Sequence, residues 1–282
     1  MDLRARARDW SEIQERMLVP LYEAVYERLD VGGGTRVLGL GCGSGLALLM
    51  AASRGAAVTG VDSRFPERLD LARRRLLPGT PEGHGTADTR DTRARADAVR
   101  ADAVRVVEGA PPGRGRPVDA GVHLGDRIRA HRVPRGRLGR LAELLAQATP
   151  LAGRGAAVVL AGWGPPERCA TTSVLRVATK LADPLRSAGS WRPALRDDLE
   201  EVAQRAGLRP DGSGRVACPF GYADADSAVR GLLSTGLFDA AIAATDEEQV
   251  DKELAEALHP HRRPDGTVWM PNVFRYLIAR TP

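Results

Sequence analysis

Several residue types are scarce in this chain of 282 residues, and each scarcity excludes a class of protein. The three cysteines, Cys42, Cys169 and Cys218, lie far apart and form no CxxC pair, so neither a disulfide framework nor a metal site is indicated. No apolar run approaches the roughly 18–20 residues that a membrane-spanning helix needs. The first residues, MDLRARARDW, lead into an amphipathic pattern and not into an apolar signal core. We therefore expect a cytoplasmic protein with no membrane partner.

Lysine is nearly absent, since 39 of the 41 basic residues are arginine. Together with abundant Ala, Gly and Pro, this bias indicates GC-rich coding DNA. The formal net charge of +5 is concentrated between Gly83 and Arg140, where 13 arginines accompany seven acids. Binding of a polyanion generally requires a broader basic face, so a nucleic-acid partner is not expected. An RNA-directed enzyme that uses this segment remains one alternative.

Aromatic residues are missing from the whole stretch between Phe65 and Trp163. Within it, residues 78–137 are rich in Arg, Gly, Pro and Asp, include the near repeat ADAVRADAVR, and offer little apolar surface to bury. We expect this range to be irregular, with marginal strands at Val104–Val107 and Val118–Leu124.

Outside that range, strand and helix patterns alternate. The first is a buried strand at Thr35–Leu40, followed by a glycine turn at Gly41–Gly45 and a helix at Leu46–Arg54. A second strand at Ala57–Val61 ends at Asp62, and an Arg-rich helix follows at Pro66–Leu77. This order is a βαβ unit, which predicts an α/β fold with a parallel sheet and helices on both of its faces.

Other patterns predict the elements on either side of this unit. Four are helical: Trp10–Leu29, interrupted at Pro20, Leu138–Thr149, Leu195–Ala206 and the stretch Ser227–Leu258. Three are strands: Ala156–Ala161, Arg215–Phe220 and, last, Asn272–Ala279. We divide the chain into an N-terminal helical lid, 1–30, and a main domain, 31–282. A small helical cap is expected within about 221–262 of the main domain.

The segment VLGLGCGSGLALLMAASRGAAVTGVDS has a chemical interpretation of its own. Gly41, Gly43 and Gly45 allow the backbone to turn sharply from strand to helix and to approach a ligand closely. Asp62 follows at the end of the next strand, where a carboxylate can accept hydrogen bonds from ribose hydroxyls. The complete pattern indicates a nucleoside cofactor.

These residues resemble class I S-adenosylmethionine-dependent methyltransferases. The range 39–45 is similar to their first motif, E/D-x-G-x-G-x-G, and 60–63 to their G-x-D-x-S/T motif. NAD enzymes have G-x-G-x-x-G instead. The resemblance implies a Rossmann-like class I sheet and S-adenosylmethionine as cofactor. The cofactor-binding residues that it implies are Gly39, Leu40, Gly41, Cys42, Gly43, Gly45, Asp62, Ser63, Gly109 and Ala110.

Two positions depart from the family pattern. Gly39 replaces an acid beside the methionine part of the cofactor, and Ala110 replaces an acid near the adenine amino group, for which Glu108 is a candidate substitute. Losing two charged hydrogen bonds at about 1–3 kcal/mol each predicts a cofactor affinity weaker than about 100 μM. These departures motivate a second alternative, a methyltransferase-fold protein that binds a ligand or promotes a different reaction without methyl transfer.

The closest branch of the family acts on small molecules, like the ubiquinone and menaquinone enzymes. The resemblance therefore implies O- or C-methylation of a small acceptor in secondary metabolism. His123, after the fourth strand, is the candidate general base, and the alternative is an exposed loop histidine. Trp10, Met17 and Tyr22 either cover the cofactor or belong to the core. Oligomeric state is left open, a homodimer included.

Overall fold

The computed structural model describes residues 2–62, 65–77, 104–108, 118–123, 135–182 and 197–282, with the backbone alone for 118–123 and 135–140. Helices in these ranges are α1 Leu3–Asp9, α2 Val19–Arg28, α3 Leu46–Ser53, α4 Pro66–Leu76, α5 Arg135–Ala148, α6 Thr171–Ala182, α7 Asp198–Arg205, α8 Ala225–Ser234, α9 Asp239–Ala244 and α10 Glu247–Leu258. Strands are β1 Arg36–Leu40, β2 Ala57–Asp62, β3 Val104–Glu108, β4 Val118–His123, β5 Ala152–Trp163, β6 Arg209–Ala217, β7 Phe220–Tyr222, β8 Val268–Met270 and β9 Val273–Arg280.

A seven-stranded sheet with the order β3-β2-β1-β4-β5-β9-β6 organises the molecule. Neighbouring strands from β3 to β5 are parallel, whereas β9 runs antiparallel to both β5 and β6. A separate two-stranded antiparallel sheet joins β7 to β8. The predicted α/β class is confirmed. The two segments expected as marginal strands, β3 and β4, both pair with their neighbours, and β4 has a register shift between Val118 and Ala120. Within the range 78–137, the structure describes these two strands and residues 135–137, and the other residues lie outside the described part.

Alternating side chains divide the core between the two faces of this sheet. On one face, Val37 and Val159 belong to a cluster shared with α2 and α3. On the other face, Leu38 and Leu160 pack with residues of α5 and α7. Helices thus cover both faces, which explains why β5 has a continuous buried run from Ala156 to Leu160.

The N-terminal helical segment differs in detail from the helix expected over Trp10–Leu29. It begins earlier, at α1, and continues through a π turn, Trp10–Gln14, and a 3-10 turn, Glu15–Leu18, before α2. The interruption falls just before Pro20, which lies in the first turn of α2, where a missing N–H costs no hydrogen bond. Trp10, Met17 and Tyr22 are buried in the first core cluster, so these three side chains pack in the core.

The helical stretch expected over Ser227–Leu258 is divided into α8, α9 and α10. The divisions follow from capping, because Asp224 and Asp246 accept hydrogen bonds from backbone N–H groups at the starts of α8 and α10. The prediction of one strand near Arg215–Phe220 was wrong in its bounds. The chain there forms β6, breaks at Cys218 and Pro219, and continues as β7. Among the described helices, none is long and apolar enough to cross a bilayer.

Candidate functional site

The glycine turn lies between β1 and α3, at the carboxyl end of the parallel strands. Gly41, Gly43 and Gly45 have φ angles of 68°, 56° and 81°, values that strongly favour glycine. The N–H groups of Gly41 and Cys42 both donate to the carbonyl oxygen of Val61, at 2.7 and 3.1 Å. The turn is therefore folded over the end of β2.

Asp62 ends β2 beside this turn. Its side chain is buried, and Oδ2 accepts a hydrogen bond of 3.0 Å from the N–H of Gly43. Sequence reasoning expected Asp62 and the turn to belong to one site, and the structure brings them together. On the next strand, Glu108 pairs in register with Asp62, so a second carboxylate ends its strand at the same edge of the sheet.

Gly39 lies below the turn, in the buried part of β1. A Cβ atom there would be 3.0 Å from Cδ2 of Leu48 and 3.3 Å from its Cγ. At Gly60, on the adjacent strand, a Cβ atom would be 2.6 Å from Cδ1 of the same leucine. Leu48 of α3 therefore fills the space above both glycines. A side chain at either position would therefore require the Leu48 side chain to shift.

Glu15 contacts the glycine turn from the opposite side, and sequence reasoning missed it. Its side chain is 3% exposed, and Oε2 accepts hydrogen bonds from Ser44 Oγ at 2.6 Å and from Arg75 at 2.8 Å. Arg75, on α4, also donates to the carbonyl oxygen of Ser44 at 3.1 Å and to the hydroxyl of Ser11. Burial raises the pKa of the Glu15 carboxyl, and the Ser44 and Arg75 contacts only partly offset this effect. We call these four residues, Ser11, Glu15, Ser44 and Arg75, the Glu15 cluster.

A sequence signal for Glu15 does exist in retrospect. Residues 15, 18, 22 and 25 recur at helical spacing, and the last three are apolar or aromatic. A carboxylate in that stripe predicts a buried ionic partner. The partner could not be named, because Arg75 is 60 residues away in the chain.

Six further residues were predicted for the site: Leu40, Cys42, Ser63, Gly109, Ala110 and His123. Leu40 and Cys42 belong to β1 and the turn, where the Leu40 side chain is buried in the second core cluster. His123 is the last residue of β4, at the carboxyl edge of the sheet, and its side chain lies outside the described atoms. Ser63, Gly109 and Ala110 lie outside the described residues. The part of the chain that the structure describes contains no group of His, Cys, Asp and Glu side chains suited to a metal.

Comparisons with known proteins identify the fold. No protein-family model matches the chain, and no curated protein sequence is significantly similar to it. Solved structures do match over nearly the full length. A Bacillus halodurans protein with a provisional assignment as a methyltransferase has 16% identity, covers 92% of this chain and 98% of its own, and superposes with a TM-score of 0.51. YjhP of E. coli has 20% identity, coverage of 99% of both chains, and a TM-score of 0.52. YcgJ of Bacillus subtilis has 16% identity, covers 93% of this chain and 98% of its own, and gives 0.51.

Sheet order and structural likeness agree. The chain has the Rossmann-like fold of class I S-adenosylmethionine-dependent methyltransferases, with the glycine turn and Asp62 side by side at the carboxyl edge of the sheet.

Proposed function

We propose that the protein is an S-adenosylmethionine-dependent methyltransferase that acts on a small acceptor. The observation that carries this proposal is the hydrogen bond between Asp62 and the N–H of Gly43, which holds the carboxylate against the glycine turn. In open α/β sheets, ligands bind in the crevice beyond the carboxyl ends of the strands, where these residues lie.

The residues present fit the cofactor at two points. The turn has three glycines with positive φ, and at Gly41 and Gly43 the backbone carries no Cβ that would keep a ligand at a distance. Gly45 instead allows close packing of α4, because a Cβ atom there would be 3.0 Å from the Cβ of Ala72. Asp62 is oriented by a backbone N–H, and a carboxylate has lone pairs enough to accept further hydrogen bonds from ribose hydroxyls. Glu108, in register with Asp62, is our candidate for the acid that Ala110 does not supply near the adenine. S-adenosylmethionine, when bound, supplies an activated methyl group.

The chain's own contribution to the reaction is mainly positional. The glycine turn and Asp62 would fix the cofactor against the sheet edge, so that an acceptor held nearby meets the methyl group in line. We propose His123, at the end of β4, as the base that removes the proton of a hydroxyl or activated carbon acceptor. Methylation of a small acceptor in secondary metabolism follows from the family branch that the motifs resemble.

The test is the affinity for S-adenosylmethionine and S-adenosylhomocysteine, measured by calorimetry. Asp62→Ala should weaken both by at least tenfold, about 1.4 kcal/mol, because a ribose acceptor and the brace on Gly43 are both lost. Asp70→Ala is the matched control, since Asp70 is an exposed acid with a local ion pair to Arg73 on α4. Unchanged affinity in folded Asp62→Ala protein would contradict the proposal.

Methyl transfer is tested separately from binding. Purified protein with labelled S-adenosylmethionine and a panel of phenols, quinols and other small acceptors should transfer the methyl group, and His123→Ala should lower the rate with little change in cofactor affinity. Tight cofactor binding without transfer to any acceptor would favour the alternative, a methyltransferase-fold protein with another role.

A further inference from the structure

The conformation of the glycine turn depends on contacts from outside the turn. Gly43 and Gly45 both have positive φ, and glycine populates many other conformations almost equally well. Between them lies Ser44, which is fully buried. Asp62 holds Gly43 from the β2 side, and Glu15 holds Ser44 from the N-terminal segment. Two carboxylates thus fix two successive residues of the turn.

The contact to Glu15 is not an isolated surface hydrogen bond. Glu15 is fully buried by its surroundings, and Arg75 is the cation beside it at 2.8 Å. The same guanidinium reaches the carbonyl oxygen of Ser44 and the backbone and hydroxyl of Ser11. Leu46, at the start of α3, donates its N–H to the second carboxylate oxygen at 3.4 Å. Removing one partner of a buried pair leaves a charge uncompensated, so the cluster is expected to act as a unit.

Geometry therefore links the N-terminal segment to the predicted cofactor site. Ser11 and Glu15 belong to the π and 3-10 turns, where the N-terminal helix departs from regular α-helix. If these turns undock, the Ser44 hydroxyl loses Glu15 as its acceptor. Arg75 also loses the Glu15 contact that holds its guanidinium against the carbonyl oxygen of Ser44. If a ligand fixes the turn, the segment gains a better-defined docking site. Linkage requires the two effects to be equal in free energy.

We propose that Glu15 is a positioning residue for the cofactor: it sets the binding form of the glycine turn through Ser44 and couples S-adenosylmethionine binding to docking of the N-terminal segment. This inference rests on the proposed function only in so far as the cofactor binds at this turn. Glu15 itself does not touch the reacting atoms.

The experiment is a double-mutant cycle on cofactor affinity. Glu15→Gln keeps the shape of the side chain and removes its charge, and Ser44→Ala removes the hydroxyl while leaving both charges of the cluster in place. Each should weaken S-adenosylmethionine binding about tenfold, and the double variant should also be weaker by about tenfold and not by a hundredfold. Glu12→Gln is the matched control, because Glu12 is an exposed acid of the same π turn. Its affinity should equal that of the wild-type protein.

Hydrogen exchange supplies the readout that a purely structural role would not move. Saturating S-adenosylmethionine should slow amide exchange over 10–18 in the wild-type and Glu12→Gln proteins, and this slowing should be lost in Glu15→Gln and Ser44→Ala. Equal affinity of Glu15→Gln and wild type, or a hundredfold loss in the double variant, would overturn the inference. A wild-type protein that does not bind S-adenosylmethionine would overturn the proposed function as well, so the two failures are distinguishable.

Discussion

At the scale of single residues, a substitution at Gly39 tests whether packing against Leu48 disfavours the acid that the resembled methyltransferase motif has at this position. Gly39→Asp should lower the free energy of unfolding by about 1–3 kcal/mol, because the new side chain meets Leu48 in a packed core. Gly33→Asp is the control, since a Cβ atom at Gly33 meets nothing within 4 Å. Urea unfolding of Gly39→Asp, Leu48→Ala and the double variant measures the contact directly. If Leu48 is the obstacle, the double variant is less destabilised than the sum of the single ones. Additive losses would contradict the packing explanation.

The residues of the site differ in how far the sequence revealed them. That Gly41, Gly43, Gly45 and Asp62 lie together could be predicted, because their pattern lies within one βαβ unit and local chain geometry brings them together. Glu15 could not be assigned to the turn, because its partners come from α3 and α4 and their approach is set by tertiary packing.

At the scale of elements, a buried hydrogen bond joins the N-terminal segment to the small sheet of β7 and β8. The Tyr222 hydroxyl donates to Gln14 Oε1 at 2.8 Å, and both side chains are buried. Among the described residues, Gln14 Nε2 has no hydrogen-bond partner. Tyr222→Phe should therefore lower the free energy of unfolding by about 1–3 kcal/mol, since the buried carbonyl oxygen of the Gln14 amide would lose its hydrogen bond from Tyr222.

Thermal or urea unfolding measures this loss against Ser53→Ala, which removes an exposed hydroxyl that bonds locally to Met50. That control should change stability by less than about 0.5 kcal/mol. A Tyr222→Phe protein as stable as the control would show that water replaces the phenolic hydroxyl at no cost.

Strands with a continuous apolar run were predicted well, and strands without one were predicted less well. Strands β1 and β2 agree with their predicted ranges to within one residue, because their apolar runs are buried on both faces. The predicted strand Ala156–Ala161 is the apolar middle of β5, which extends further at both ends. Strand β6 was missed in part, since its sequence, RPDGSGRVA, has the composition of a turn. It is a strand because β9 supplies the hydrogen bonds along one side. Tertiary pairing there overrides local preference.

At the scale of the whole molecule, Glu15 gives stability a defined pH dependence. Its carboxyl has an ordinary pKa near 4.5 when unfolded, and burial raises this pKa in the fold. Between the two values the folded protein binds a proton that the unfolded chain has lost, so stability falls as pH rises through this window. Relative to Glu15→Gln, which cannot titrate, the wild-type protein should be most stable below the ordinary pKa of Glu15 and lose that advantage as the pH rises above it.

Urea unfolding of both proteins across this range measures the effect. The difference between them cancels the opposite contributions of exposed caps such as Asp224, whose pKa is lowered by its hydrogen bonds to Ser227. A difference that does not change with pH would show that Arg75 compensates the buried charge completely.

The position of β9 between β5 and β6 has a consequence during synthesis. In the described part of the chain β6 pairs with β9 alone, so β6 cannot join the sheet in its native register until the residues of β9 have left the ribosome. Until then a nascent chain has open strand edges at both β5 and β6, and unpaired edges are templates for wrong association. A chain that stalls before Val273 would thus contain the whole glycine turn and Asp62 while β5 and β6 both lack their shared partner strand.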